Sequence, residues 1–140
     1  FVKILEDFLG FSKVDCAFLV GAGSLGSALL QDKGLSAFGL SIEAAFDVDK
    51  AKVGTKVNDI EIFHIDQFRA MAAERNVVIG IITVPAEHAQ NVADLMVAWG
   101  IKAIWNFTPA RIKVPSHIVV QNTTIYMNLA ILFNKLYNQE

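Results

Sequence analysis

Three glycines, Gly21, Gly23 and Gly26, form the stretch of this 140-residue chain whose residue types and spacing are best suited to chemistry. They follow a short apolar run that ends at Val20 and precede a segment with helical periodicity. This G-x-G-x-x-G pattern therefore lies between a predicted strand and a predicted helix. In that setting the first glycine allows a tight turn, the second lets the backbone approach a pyrophosphate, and the third lets the helix pack close to the strand.

The helix that starts after the turn adds an electrostatic reason for phosphate binding. Its first N–H groups have no partner within the helix, and its dipole places partial positive charge at the same end. The pattern therefore predicts a dinucleotide site, and the alternative is a glycine-rich turn without a ligand. The residues predicted to bind the pyrophosphate are Gly21, Ala22, Gly23, Ser24, Leu25 and Gly26.

An acidic residue at the end of the next apolar run supports this interpretation. Asp47 lies 21 residues beyond Gly26, close to the spacing of about 20 expected of a carboxylate that binds the adenosine ribose hydroxyls. With Asp49 it places two carboxylates where a 2′-phosphate would lie, and no arginine stands there to receive one. Asp47 and its neighbour Val48 are therefore predicted cofactor contacts that favour NAD(H) over NADP(H). The alternative is a solvated acidic turn.

Two loops follow later predicted strands. In an open parallel sheet, ligands bind outside the carboxyl ends of the strands, so both loops are expected to line the cleft. Phe107 either stacks against a ring of the cofactor or caps the core as an ordinary aromatic residue, and the sequence leaves both open. The candidate cofactor contacts in these loops are Thr83, Val84, Pro85, Asn106 and Phe107.

The composition argues against several other classes of protein. The net charge is −2 and the basic residues are scattered, so this chain offers no basic surface for DNA. Cys16 is the only cysteine and is interpreted as a core residue. No disulfide framework and no signal peptide are recognisable, which predicts a cytoplasmic protein. No run approaches the roughly 18 apolar residues of a membrane helix.

Catalytic and metal-binding patterns are not recognisable either. His64, His88 and His117 are widely spaced and share no ligand spacing, so no metal site is predicted and each is interpreted as a surface or packing residue. No Ser-His-Asp or Cys-His arrangement is found, and the chain has no room for the second domain of a typical dehydrogenase. We therefore expect a protein that is not an enzyme.

Strand-like and helix-like segments alternate along the chain. Their apolar runs are nearly continuous, as in parallel strands covered on both faces. The alternation predicts an α/β fold, a doubly wound parallel sheet of the Rossmann type with right-handed crossovers. The predicted strands are 14–20, 41–47, 61–64, 77–83, 101–105 and 117–121, and the predicted helices are 25–33, 66–75 with Asp66 as its N-cap, and 86–99, with one helical turn at 49–52.

Two more helices are predicted outside the sheet domain, which we place at 11–122. Residues 1–10 are interpreted as a connector helix from an upstream domain. The last helix, 124–137, is apolar nearly all round, in a chain that is 54% hydrophobic and 19% charged. This predicts dimerisation through residues 123–140, by exchange of the helix between protomers. The alternative is a helix that lies on its own sheet beneath another element of the same chain.

Five short motifs occur in a characteristic order. They are Gly-Ala-Gly-Ser-Leu-Gly-Ser-Ala-Leu at 21–29, Ala-Ala-Phe-Asp-Val-Asp at 44–49, Phe-His-Ile-Asp at 63–66, Thr-Val-Pro-Ala at 83–86 and Asn-Phe-Thr-Pro at 106–109. In this order the chain resembles the Rex family of bacterial redox-sensing transcriptional repressors, over nearly its whole length. The resemblance implies a homodimer with an N-terminal winged-helix domain and a C-terminal domain for NADH or NAD+. It also implies that NADH binding closes the dimer and releases operator DNA, and that the swapped C-terminal helix wedges between the partner's domains.

The resemblance also implies roles for individual residues. Residues 21–26 would bind the pyrophosphate, Asp47 the adenosine ribose, and the loops 83–86 and 106–107 the nicotinamide half. Two positions depart from the family pattern: Ser24 replaces a frequent asparagine, and Thr124 replaces the aspartate that usually begins the swapped helix and relays the cofactor state. The first departure changes little, whereas the second bears on the switch.

The leading hypothesis is a sensor domain without turnover, in which NADH binds one dimer arrangement better than the other and so rearranges the dimer. Because only the nicotinamide ring changes charge, we expect an apolar nicotinamide end built from Val84, Pro85, Phe107 and the partner's last helix, and weaker binding of NAD+ than of NADH. The alternative is a coenzyme A-binding or dehydrogenase-type domain of a multi-part enzyme. A purely structural dimerisation domain is a third interpretation.

Overall fold

The computed structural model describes residues 15–31 and 40–123. The predicted connector helix, the predicted C-terminal helix and the position Thr124 lie outside these residues. The described elements are β1 (Asp15–Val20), α1 (Ser24–Gln31), β2 (Leu40–Asp47), β3 (Lys56–Val57), β4 (Ile60–His64), a 3-10 turn (Ile65–Gln67), α2 (Phe68–Arg75), β5 (Ile79–Ile82), α3 (Ala86–Ala98), β6 (Ala103–Asn106) and β7 (Val119–Asn122).

The strands form one seven-stranded sheet in the order β3-β4-β2-β1-β5-β6-β7. Every neighbouring pair is parallel except β3 and β4. The chain builds outward from β1 through β2 to β4, and then continues on the other side of β1 with β5. This order confirms the predicted doubly wound sheet. Successive strands are added on one side of β1 as far as β4 and on its other side from β5 onward, so the strand order reverses between β1 and β5. A crevice for a ligand forms at that point, outside the carboxyl ends of the strands.

Both faces of the sheet are covered, which explains why its strands are apolar throughout. Along β1, Ala17 and Leu19 belong to one buried cluster, whereas Phe18 and Val20 belong to the other. This alternation is the two-residue period of a strand, with α1 packing on the first face and α2 and α3 on the second. Strands buried on both faces leave only the carboxyl edge of the sheet for polar and functional residues.

A short hairpin was not predicted from the sequence. Strands β3 and β4 are joined by Asn58 and Asp59, both with positive φ, 51° and 66°. Two such residues form the tight turn that matches the twist of a hairpin, and asparagine and aspartate tolerate this conformation better than most residues. Strand β3 has only two residues, Lys56 and Val57, so it shows no periodicity that a sequence pattern could detect.

The predicted N-cap of the second helix is wrong. The chain first forms a 3-10 turn, and Asp66 lies inside it rather than before it. The cap is His64, whose Nδ1 accepts a hydrogen bond from the N–H of Asp66 at 3.2 Å. The imidazole takes the role that an aspartate oxygen usually has at the start of the 3-10 turn. The N-cap of α2 itself is Gln67, whose side chain makes no capping hydrogen bond.

Candidate functional site

The glycine turn joins β1 to α1 at the centre of the carboxyl edge. Gly21 has a φ of +108° and donates its N–H to the carbonyl oxygen of Phe46 at 2.8 Å. A Cβ at this position would lie 2.7 Å from both the carbonyl carbon of Thr83 and the nitrogen of Val84. Glycine is therefore required here for two reasons: the backbone has a positive φ, and the loop after β5 lies too close to leave room for a Cβ.

The other two glycines are required for opposite reasons. A Cβ on Gly26 would overlap the carbonyl oxygen of Gly21, so the third glycine lets α1 start directly against the turn. Within residues 15–31 and 40–123, a Cβ on Gly23 would meet no atom within 4 Å beyond those of its own chain neighbours. The space in front of Gly23 is thus open, which is the arrangement expected where a ligand approaches the backbone.

Asp47 connects the end of β2 to the glycine turn. Its Oδ2 accepts a hydrogen bond from the N–H of Ala22 at 2.8 Å, and its Oδ1 accepts one from the N–H of Asp49 at 3.0 Å. The carboxylate is therefore held in one orientation by two backbone groups. An ionised carboxylate has about four acceptor sites, so two remain for the hydroxyls of a ribose.

The side chain of Thr83 supports the same turn from the other side. Its hydroxyl shares its one proton between the carbonyl oxygen of Gly21, at 2.7 Å, and that of Val20, at 3.1 Å. The side chain is almost fully buried. Thr83 therefore positions the turn rather than offering its hydroxyl to solvent.

Removing this hydroxyl is expected to lower stability. Thr83→Val keeps the shape of the side chain but leaves a buried carbonyl short of a donor, at a cost of about 1–2 kcal/mol. We expect a fall in Tm of roughly 3–8 °C by differential scanning fluorimetry. Thr83→Ser keeps the hydroxyl and is expected to lose less than half as much; an equal loss for both variants would contradict the role of the hydroxyl.

A cavity of about 470 Å³ opens beside the turn, outside the carboxyl ends of β1, β2 and β5. Its volume lies within the range of small-molecule sites, about 300–1,000 Å³. Seven of the predicted cofactor contacts lie on its wall, namely Gly21, Gly23, Asp47, Val48, Thr83, Val84 and Pro85. The fold therefore brings together three predicted segments that are far apart in the sequence.

Several residues on this wall were not predicted as cofactor contacts. From α3 they are His88, Asn91, Val92 and Leu95, and elsewhere Val20, Asp49, Lys52 and Ile65. The α3 residues recur at helical spacing, but periodicity alone does not distinguish a cavity-facing stripe from a core-facing one. Val48 and Leu95 remain 69% and 40% exposed on this wall, so apolar surface is open to solvent there.

The remaining predicted contacts lie elsewhere. Ala22 and Gly26 are buried in the turn and the start of α1, and Ser24 and Leu25 lie on the first turn of that helix. Phe107 is 2% exposed and stacks on Trp105, with ring centroids 4.8 Å apart. This packing favours the core-capping alternative for Phe107.

Asn106 is fully buried and its side chain is occupied by hydrogen bonds. Its Nδ2 donates to the carbonyl of Ala110 at 2.8 Å and to Oδ1 of Asn122 at 3.0 Å. Its Oδ1 accepts from both the N–H and the hydroxyl of Thr108. Asn106 thus shapes the turn after β6, and neither Asn106 nor Phe107 lies on the wall of the 470 Å³ cavity.

Within the described ranges, no group of three or more histidine, cysteine, aspartate or glutamate side chains is placed to hold a metal ion. None of the helices in those ranges is long and apolar enough to cross a membrane.

The charged and titratable side chains on the cavity wall are Asp47, Asp49, Lys52 and His88.

Comparison with known proteins agrees with this geometry. Residues 13–110 match the family model described as the CoA binding domain. The chain is 59% identical over 135 residues to the redox-sensing transcriptional repressor Rex of Bacteroides fragilis, covering 96% of this chain and 61% of that protein. The chain thus spans about three fifths of the length of this relative.

Solved structures give the same relationship. The structure of RSP, a Rex-family repressor, in complex with β-NADH superposes with a TM-score of 0.80 at 31% identity, covering 98% of this chain and 66% of that one. RSP in complex with β-NAD+ and operator DNA also gives 0.80 at 31% identity, covering 98% and 63%. By its family model this chain belongs to the CoA-binding domain family, and by its similarity to these repressors it belongs to the Rex family of redox-sensing transcriptional repressors.

Proposed function

We propose that this chain is the NAD(H)-binding part of a transcriptional repressor that responds to the NADH/NAD+ ratio, and that NADH binding releases operator DNA. The observation that supports this most is the link between Asp47 and the glycine turn. Asp47 is held by the N–H of Ala22 and faces the same cavity as Gly23, whose front is open. These are the two contact points that an adenosine ribose and its pyrophosphate need.

The cofactor residues of the proposal follow from that link. The backbone N–H groups at the start of α1 and the open face of Gly23 would hold the pyrophosphate, and Asp47 would hold the adenosine ribose. The 470 Å³ cavity lies beside Asp47 and Val48, so it would take the adenosine half. Its wall includes Val84 and Pro85, so we propose them as contacts of this half instead of the nicotinamide half, and the apolar nicotinamide end would then be lined by the loop 106–107 and the partner's last helix.

The nicotinamide half would lie on the other side of the turn, toward the carboxyl end of β6. The amide of Asn106 is occupied and Phe107 is stacked on Trp105. We therefore propose that the loop 106–107 contributes the shape of its backbone there, rather than an exposed aromatic surface.

A preference for NAD(H) over NADP(H) is part of the proposal. Asp47 and Asp49 both lie on the cavity wall with a single ammonium group, that of Lys52. Two carboxylates and one ammonium leave a net negative charge where a 2′-phosphate would be placed. We expect NADPH to bind at least tenfold more weakly than NADH, which corresponds to about 1.4 kcal/mol.

The rest of the proposal concerns the whole repressor. Its partners would be a second copy of the chain, through residues 123–140, and operator DNA, through an N-terminal winged-helix domain in the length that this chain does not span. It would work in the cytoplasm and without catalysis. A ligand shifts a two-state equilibrium only by its differential affinity, so NADH must favour one dimer arrangement over the other.

Calorimetric titration of the purified protein with NADH, NAD+, NADPH and coenzyme A tests the cofactor. We expect NADH to bind more tightly than NAD+ by at least tenfold, because the positive nicotinamide of NAD+ must enter the end that we expect to be apolar. Equal binding of both forms would contradict sensing and favour an enzyme part. Coenzyme A is included because the matching family model is described by that ligand, and its binding in place of NADH would contradict NAD(H) as the cofactor.

The proposed release of operator DNA is tested with the full-length repressor bound to an operator duplex. Fluorescence anisotropy is expected to show that NADH releases the duplex, whereas NAD+ at the same concentration leaves it bound. Release by both forms, or by neither, would contradict a response to the NADH/NAD+ ratio.

A further inference from the structure

One face of α3 lines the cavity that also contains the residues at the end of β2. His88, Asn91 and Leu95 follow each other by about one turn along this face. They span roughly 10 Å along the helix axis, which is about the length of a purine with its ribose. Val48 lines the same cavity, and both Val48 and Leu95 leave apolar surface exposed. The wall thus offers apolar surfaces for a flat ring, with one amide between them.

The side chains of two neighbouring residues on α3 are used in different ways. Gln90 points away from the cavity, and its Nε2 donates to Oδ1 of Asp94 at 2.9 Å and to the carbonyl of Lys113 at 2.8 Å. Its Oε1 accepts from the N–H of Lys113 at 2.7 Å. In contrast, the amide of Asn91 makes no hydrogen bond to any residue in the described ranges. Asn91 is exposed on the cavity wall, so its amide can bond to water in the free protein and is available to a ligand that enters the cavity.

The chemistry of this amide matches one edge of adenine. A carboxamide can accept a hydrogen bond from the 6-amino group of adenine and donate one to N7 at the same time, which is how asparagine recognises this base in DNA. A ribose held by Asp47 would direct its base into the space between Val48 and α3, because Asp47, Val48 and Asn91 line the same cavity.

We propose that Asn91 determines the base specificity of the site, by pairing its side-chain amide with the 6-amino group and N7 of adenine. This inference rests on the proposed function, because it requires an adenosine ribose on Asp47. Lys52, on the same wall, has donors only and would favour the 6-oxo group of hypoxanthine instead. The preference between the two bases therefore shows which residue recognises the base.

The test compares NADH with reduced nicotinamide hypoxanthine dinucleotide, which differs from NADH only in carrying a 6-oxo purine. Calorimetric titration of the purified protein is expected to show NADH binding about tenfold more tightly, because the amide oxygen of Asn91 would face an acceptor in the hypoxanthine form. Asn91→Ala is expected to reduce this ratio to within about twofold by weakening NADH binding alone. Asp94→Ala is the matched control, since Asp94 is an exposed polar residue on the same helix that does not line the cavity.

The outcomes separate this inference from the proposed function. Equal affinity of the unmodified protein for both dinucleotides would overturn the role of Asn91, as would an Asn91→Ala variant that keeps the tenfold ratio. Tighter binding of the hypoxanthine form would also overturn it and indicate Lys52. If neither dinucleotide binds, the NAD(H) site itself is wrong. Asn91→Ala is expected to remain folded, because alanine is the more favourable residue inside a helix.

Discussion

Gly23→Ala is expected to lower the affinity for NADH by at least a hundredfold without lowering the stability of the fold. A Cβ at this position would meet no atom within 4 Å in the part of the chain that the structure describes, apart from its chain neighbours, so the substitution creates no clash there. The same Cβ would occupy the space through which a pyrophosphate approaches the backbone. Because alanine restricts the unfolded chain, the free energy of unfolding is expected to stay equal or rise by about 0.4–1 kcal/mol.

Gly26→Ala is the matched variant, with the same change in composition and the opposite structural consequence. Its Cβ would overlap the carbonyl oxygen of Gly21, so the turn and α1 must separate. We expect loss of NADH binding together with destabilisation of about 3 kcal/mol or more. Differential scanning fluorimetry and calorimetry on the two variants give both quantities. A Gly23→Ala variant that binds NADH like the unmodified protein would show that the glycine turn is not the pyrophosphate site.

Asp47→Ala is expected to weaken NADH binding by two orders of magnitude or more. The substitution removes the carboxylate proposed for the ribose hydroxyls, and hydrogen bonds to charged groups contribute about 1.5–3 kcal/mol. It also removes the acceptor of the Ala22 N–H, which belongs to a buried residue, so the turn that would hold the pyrophosphate loses its support. The loss of binding thus has two physical sources.

Two further variants separate these sources. Asp47→Asn keeps one oxygen for the N–H of Ala22, so it is expected to retain most of the stability while still losing NADH affinity. Asp49→Asn removes a carboxylate from the same cavity wall but keeps an oxygen for the N–H of Ala51, and it is expected to change NADH affinity by less than about threefold. Equal losses of affinity for Asp47→Asn and Asp49→Asn would indicate a general charge effect instead of a specific ribose contact.

The structure also explains why one carboxylate matters for both the fold and the site. Asp47 accepts hydrogen bonds from Ala22 and Asp49, so it orders the glycine turn before any ligand is present. Thr83 fixes the same turn from β5 through the carbonyls of Gly21 and Val20. The turn is therefore held from both neighbouring strands, which is the preorganisation that reduces the entropic cost of binding.

Local pattern was enough to predict the order of all strands and helices except β3, and to single out seven of the residues that line the cavity. Gly21 requires a positive φ, and a strand buried on both faces requires continuous apolar residues. Both requirements are local, because the backbone conformation and the burial of a short segment restrict the residue types within that same segment. The spacing from Gly26 to Asp47 is equally informative, because one helix and one strand lie between them and their lengths are limited. The apolar runs and the glycines also mark where elements begin and end, and the bounds of most elements differ from the prediction by only one to three residues.

The arrangement around the cavity was decided by tertiary structure alone. Asn91 and Leu95 line it because α3, which packs on one face of the sheet, also borders the cavity, and their spacing would look the same on a core-facing helix. Phe107 follows a strand as a cofactor-stacking residue would, yet it stacks on Trp105, a contact formed between neighbouring side chains of the folded sheet. His64 rather than Asp66 caps the 3-10 turn because the chain bends where β4 ends. Sequence pattern thus indicates the secondary structure and the local backbone conformation of each segment. Burial and packing between distant segments decide which residues line the cavity.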